Sequence, residues 1–395
     1  MAPPKTNSHR LQTRAMHAGD ALNPLSSVSP PIVQTANFEL GTAERGAALS
    51  NAIAPTELYT RWGNPTTRQA EAILADLEHG EAALVASSGM GAISSTVVSQ
   101  LKSGDHVVAG LSLYAAATEL FAELLPRFGV ETTQVDQTDL EAVRAAIRPS
   151  TRILYVETIT NPTLRVADLD GLATIARAAK VTSIVDNTIA TPVNARPLEH
   201  GFDIVLHSLT KYLNGHSDII GGAVIASQKA IDHIWYHMKI LGPSISPFDS
   251  WLFLRGLRTL GLRMERHNSN GMAVARLLRR HPKVERVHYP GIEDHPQHAL
   301  AKRTLAGFGG MVSFELRGGM EAGRRLVESL RLIKLAVSLG GAESLACHPA
   351  STTHTMIPRE ARLASGITDG LIRLSAGIEE EEDLIADLEQ ALAGV

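Results

Sequence analysis

Short β-prone runs recur along the middle of the chain, separated by stretches with apolar positions at helical spacing. Between about residues 61 and 255 these runs are AALVAS, HVVAG, VETTQVD, RILYVET, TSIVDNT, DIVLHS and GGAVIAS. Strands alternating with helices predict right-handed βαβ units and a mostly parallel sheet covered by helices on both faces. The segments at 153–156 and 183–185 are almost wholly apolar, as strands buried on both sides should be.

Upstream, residues 1–60 are rich in Pro, Ser, Asn and Thr, with little periodicity (NPLSSVSPPIVQTANF). Such a stretch cannot bury a core of its own and is read as an N-terminal arm that contacts the neighbouring subunit. Downstream, one long helix is predicted over about 247–280, after which Pro282 and Pro290 mark a change of style. Strand candidates MVSFEL and LIRLSA and a last helix from about 378 then form a smaller α+β domain. That helix opens with Glu379 to Asp383, where acids suit the positive end of its dipole. The expected organisation is thus an arm over 1–60, an α/β domain over 61–255 and a C-terminal domain over 256–395, since 395 residues exceed one ordinary core.

The net charge of -4, with no block of Lys or Arg, argues against a nucleic-acid face. No apolar stretch reaches the roughly 20 residues of a membrane helix, and the N-terminus lacks the apolar core of a signal peptide. Cys347 is the only cysteine, which excludes an internal disulfide and fits a reducing cytoplasm. His288, His295 and His298 lie among Pro290, Gly291 and Pro296 and read as a surface loop; no acidic or cysteine partner recurs at ligand spacing, so no metal is expected.

Several residues could carry chemistry, and each has an ordinary reading beside it. SSGMGAI at 87–93 joins a strand to a helix: its small residues and the helix N-terminus suit a phosphate, or simply make a tight turn. Asp186, ending the run SIVDNT, is a capping carboxylate or the counter-ion of a protonated ring nitrogen. Lys211 follows Ser208 and Thr210 in HSLTKYLNGHSD; it is a surface lysine, or an amine that forms an imine beside two hydroxyls that bind phosphate. Tyr114 packs, stacks on a flat ring or moves a proton. Arg373, alternating against Ile372 and Leu374, pairs with an internal carboxylate or with that of a substrate. Tyr59 and Arg61 precede the first α/β unit; they are surface residues or phosphate ligands donated to a partner subunit. Phosphate cup, carboxylate and lysine come in an order that one site could use, and together they outline a pyridoxal phosphate (PLP) site.

The motifs YTRWGNPT, SSGMGAI, VETITNP, VDNT, HSLTKYLNGHSD, SPFDSWLFLRGLRTL, SLGGAESLACHPASTTH and LIRLSAGIE span nearly the whole chain. In them the chain resembles the PLP enzymes of Cys/Met metabolism, of fold type I. The resemblance implies that Lys211 binds the cofactor covalently and moves protons between Cα, Cβ and Cγ. It implies that Asp186 pairs with the pyridine nitrogen and that Gly89, Met90, Ser208 and Thr210 hold the phosphate, with Tyr59 and Arg61 from the neighbouring subunit. It further implies that Tyr114 stacks on the ring and assists at the leaving group, that Asn161, Ser338 and Arg373 orient cofactor and substrate carboxylate, and that the enzyme is a homotetramer of two dimers.

Within the family, KLAVSLGGAESLACHPASTTH is most similar to the methionine γ-lyase branch. Val337 stands where cystathionine enzymes usually carry a glutamate. Ala116 stands where methionine γ-lyases have a functional cysteine, Ala115 replaces a usual glycine, and Met238 and Lys239 align with their Lys-Asp pair. The expected activity is therefore γ-elimination from an amino acid with a γ-leaving group, with a non-sulfur substrate such as canavanine open. The alternatives are γ-replacement on a homoserine ester and cystathionine γ-elimination.

Overall fold

The structure, a computed structural model, describes residues 9–395 apart from 24, 26 and 357. Seven strands form the first sheet: β1 (Ala82–Ala86), β2 (His106–Gly110), β3 (Glu131–Val135), β4 (Thr151–Glu157), β5 (Thr182–Asp186), β6 (Ile204–Ser208) and β7 (Gly222–Ala226), in the order β1-β7-β6-β5-β4-β2-β3. All run parallel except β7, which is antiparallel to both β6 and β1.

Alternation along β4, β5 and β6 supplies the core on both faces. Leu154, Val156, Val185 and Val205 enter one apolar cluster, while Ile153, Tyr155, Ile184, Ile204 and Leu206 enter the other. A second sheet holds β8 (Val284–His288), β9 (Met311–Leu316), β10 (Lys334–Leu335), β11 (Leu345–Cys347) and β12 (Leu371–Ser375), in the order β10-β11-β12-β9-β8. Among the described residues no helix is long and apolar enough to cross a membrane.

Two features differ from the sequence reading and one adds to it. The helix expected over 247–280 is two, Pro247–Leu257 and Leu260–Arg280. The break is tertiary in origin: the buried Arg263 guanidinium donates to the carbonyls of Gly256 (2.9 Å), Tyr212 (2.6 Å) and Leu213 (3.1 Å), and the Thr259 hydroxyl also donates to Gly256. The arm also packs on its own chain. Its helix Leu11–His17 buries Ala15, and Arg14 pairs with Asp76 at 2.7 Å. Finally, His295 is not at the surface but buried, and burial brings its imidazole down to about 4, so it is neutral.

Candidate functional site

In open α/β sheets ligands bind beyond the carboxyl ends of the strands. Here β4, β5 and β6 end in register on Glu157, Asp186 and, after Leu206, Ser208. Above them lies a cavity of about 240 Å³ lined by Gly89, Met90, Tyr114, Asn161, Asp186, Ser208, Thr210 and Lys211. Ser338 and Arg373 reach the same place from the second sheet's side: Lys211 Nζ donates to Ser338 Oγ (2.6 Å), and Arg373 donates to the Ser338 carbonyl (2.7 Å) and to Asn161 Oδ1 (3.4 Å). A larger cleft of about 840 Å³ elsewhere has three ion pairs in its lining, Arg165 with Asp136, Arg279 with Asp294 and His288 with Glu315. The smaller cavity gathers most of the residues that the sequence singled out.

One end of that cavity suits an anion. Ser88 caps the helix Gly89–Ser99 by accepting the Gly91 N–H at 2.9 Å, and the first N–H groups of the helix, those of Gly89 and Met90, have no intrahelical acceptor. Close approach favours glycine at Gly89 and requires it at Gly222. A Cβ on Gly89 would lie 3.1 Å from Ser208 Cβ, and one on Gly222 of β7 would lie 2.1 Å from the Ser88 carbonyl oxygen. Thr210 Oγ1 accepts the Gly221 N–H at 3.0 Å, which fixes its hydroxyl beside the cup.

The other end concentrates charge. Asp186 Oδ1 accepts the Thr188 N–H at 2.9 Å and its hydroxyl, while no hydrogen bond reaches Oδ2 among the described residues. Burial raises the Asp186 carboxyl above its usual range against these two bonds. Burial, and then the Arg373 guanidinium, brings the Lys211 ammonium from 10.5 down to about 8. Arg373 Nε is buried and has no partner among the described residues, so one donor of its fork is available to a ligand. Ser338 adopts φ +81°, a left-handed backbone that is costly for serine and that accompanies its position between Lys211 and Arg373.

Tyr59 and Arg61 are not brought to this cavity. The Arg61 guanidinium lies 5.4 Å from the centre of the Tyr59 ring and donates to the Lys239 carbonyl, and Tyr59 is exposed. Conversely, sequence reasoning gave no role to Glu157, although its carboxyl lines the cavity and accepts the Tyr114 N–H at 2.6 Å and the Asn161 N–H at 3.3 Å. The available signal was an acid closing an apolar run in VETITNP, the same signal that picked out Asp186 in SIVDNT.

A sequence profile of the Cys/Met metabolism PLP-dependent enzymes matches residues 12–393. An L-methionine gamma-lyase of Fusobacterium nucleatum subsp. polymorphum is 48% identical over 391 residues, covering 98% of this chain and 99% of the relative. A cystathionine gamma-lyase of Bacillus subtilis is 45% identical, covering 93% and 95%. The crystal structure of cystathionine gamma-lyase from Lactobacillus plantarum complexed with L-serine superposes with a TM-score of 0.92 at 42% identity, covering 98% of this chain and 99% of that one.

Proposed function

The chain belongs to the Cys/Met metabolism PLP-dependent enzymes, and on that premise we propose that it is a γ-lyase of the methionine γ-lyase kind. It would expel a thiol from Cγ of methionine or homocysteine and release 2-oxobutyrate and ammonia. The observation that carries this reading is Lys211: an amine brought down to about 8, at the cavity wall and hydrogen-bonded to Ser338, on a chain whose methionine γ-lyase relatives match nearly end to end.

The residues present fit PLP. The glycine-lined cup and the Ser208 and Thr210 hydroxyls would hold its phosphate, the open oxygen of Asp186 would face its ring nitrogen, and Lys211 would hold its aldehyde carbon. Bound there, PLP supplies an electron sink for bond cleavage at the amino acid. Lys211 Nζ takes and returns protons at Cα and Cβ, because an amine titrating near 8 is usefully populated in both forms at neutral pH. Arg373 binds the substrate carboxylate through the donor that lacks an internal partner, with Asn161 and Ser338 setting its orientation. Tyr114, at the cavity wall, covers the ring and serves the leaving group with its hydroxyl.

A non-sulfur γ-substrate such as canavanine stays open because the methionine-reading pair is altered. Where the methionine-reading pair aligns, Met238 is buried and Lys239 Nζ sits against three rings, 4.3 Å from the centre of Trp62, 4.6 Å from Trp235 and 5.1 Å from Tyr236. Cystathionine lyases among the relatives, at 45% identity, keep cystathionine as an alternative substrate, against which Val337 counts. We read the assembly as a cytoplasmic homotetramer, a dimer of dimers, in which Tyr59 and Arg61 serve the neighbour's phosphate. Their exposure outside their own chain's cavity supports this, and the lone Cys347 suits a reducing compartment.

Mass spectrometry of the products tests the reading, using cofactor-loaded protein with methionine, homocysteine, cystathionine, canavanine, and the homoserine esters with and without sulfide. 2-Oxobutyrate from methionine or homocysteine is expected. Homocysteine formed from the esters and sulfide much faster than any oxo acid is released would replace the lyase by a transferase, and homoserine from canavanine would name the non-sulfur substrate.

A further inference from the structure

We propose that Glu157 is a positioning residue: one carboxyl that fastens both substrate-facing loops, holding Tyr114 through its main-chain N–H and Asn161 through its own. The inference rests on the reading of the cavity given above and deepens it. Glu157 ends β4 beside Asp186 on β5, and its side chain lines the cavity. Oε1 accepts from Tyr114 at 2.6 Å and Oε2 from Asn161 at 3.3 Å, so the two oxygens go to two different loops, one following β2 and one following β4.

The fastening point is itself fixed. The buried Gln137 side chain donates to the Glu157 carbonyl at 2.6 Å and accepts the Glu157 N–H at 3.1 Å. What Glu157 holds is less fixed. Tyr114 is 47% exposed and begins the five-residue helix Ala115–Glu119 with no side-chain cap of its own. Among the described residues the other side-chain link between the loops is a long contact of 3.4 Å from Ser112 Oγ to Thr163 Oγ1.

A buried acid next to another buried acid is a costly way to satisfy two N–H groups, because each disfavours ionisation of the other. A single carboxyl nevertheless offers what an apolar residue or an amide cannot, two acceptor oxygens at a fixed separation. The Tyr114 ring and the Asn161 amide are thereby set relative to each other across the cavity. Losing Glu157 should therefore loosen both without removing either.

Amide hydrogen exchange on the cofactor-free protein, read on peptides covering 111–118 and 158–164, tests this directly. Glu157→Met removes both acceptors at similar length, and exchange at Tyr114 and Asn161 should quicken about tenfold or more while that of the β4 interior stays as it was. Glu157→Gln keeps one acceptor oxygen and should loosen one loop; it also serves should the methionine variant not fold. In the loaded enzyme the loss in kcat/KM caused by Glu157→Gln should largely vanish in a Tyr114→Ala, Asn161→Ala background, because a residue acting through those side chains has nothing left to act on. Unchanged exchange in either loop of Glu157→Met, or in both loops of Glu157→Gln, overturns the proposal. So does an equal kinetic loss in both backgrounds. Exchange is independent of the substrate, so a wild-type enzyme without γ-lyase activity would defeat the functional reading and leave this result standing.

Discussion

The amine of Lys211 should titrate near 8 in the cofactor-free protein, against an ordinary 10.5. At pH 7 about 9% of an amine with the lower value is neutral, compared with about 0.03% of an unperturbed lysine, a gain of about 300-fold in nucleophile. The same shift corresponds to about 3 kcal/mol of folding stability. Its sign follows from proton binding. Between about 8 and 10.5 the unfolded chain binds the proton and the folded chain does not, so this contribution rises with pH across that window and is absent below it.

The assay is labelling of cofactor-free protein by an amine-reactive reagent across pH 6 to 11, with the peptide carrying Lys211 followed by mass spectrometry. Half-maximal labelling at that peptide should fall near 8. The perturbation is Arg373→Met, which removes the second cause of the shift and keeps the first. Because burial outweighs Arg373, the midpoint should rise by less than about one pH unit. A wild-type midpoint at 10 or above would refute the assignment of Lys211 as the poised amine, and a midpoint that falls in Arg373→Met would refute the account of its cause.

Asp186→Asn should act with opposite signs in the two states. At pH 8 the cofactor-free protein should unfold at higher urea than wild type, because burial has raised this carboxyl and its ionised form weighs on the fold above the ordinary carboxylate range, whereas PLP should bind about two to three and a half decades more weakly through loss of a buried pairing of about 3–5 kcal/mol. Burial also brings Glu71 up to about 7, outweighing Arg68 at 3.1 Å, so wild-type stability falls as pH rises from about 4.5 through 7; relative to Glu71→Gln the gap should change by up to about 3 kcal/mol between pH 4 and pH 8, read from urea midpoints. Mixing Arg61→Ala subunits with Lys211→Ala subunits, each inactive alone, should restore up to about a quarter of wild-type turnover per site if phosphate contacts cross between subunits, and activity that stays at background would argue for a self-contained site.

Much of the fold was legible because its signals are local. HVVAG, MVSFEL and LIRLS are β2, β9 and β12 nearly residue for residue, and the apolar runs at 153–156 and 183–185 lie in the central strands β4 and β5. The reversed direction of β7 was not legible, since the apolar pattern of GGAVIAS carries no direction. Nor was the break at residues 258–259, which depends on Arg263 meeting carbonyls some fifty residues away. The site divides the same way. Asp186, Ser208, Thr210 and Lys211 could be singled out because strand ends and turns in sequence predict adjacency in space. The contact of Lys211 with Ser338, 127 residues on, and the bridging by Glu157 of two loops 47 residues apart depend on how sheets and loops come together, which no periodicity encodes.

On the proposed reading, the charges around the cavity suit a charged ligand. On one side two acids, Asp186 and Glu157, are register partners, and each is raised by burial, with Asp186 raising Glu157 further. On the other side two bases oppose each other, Arg373 lowering Lys211. Like charges have been gathered with like, which a fold optimised for its own stability would avoid by pairing acid with base, as the larger cleft does with Arg279 and Asp294 at 2.6 Å. Thr188 and His207 relieve Asp186 in part, and on the proposed reading a ligand that brings a cation to Asp186 and a carboxylate to Arg373 relieves the rest. A protonated pyridine ring and an α-amino acid are such a pair. Binding free energy spent on relieving that mismatch selects the two together, because either one alone leaves half of the repulsion in place.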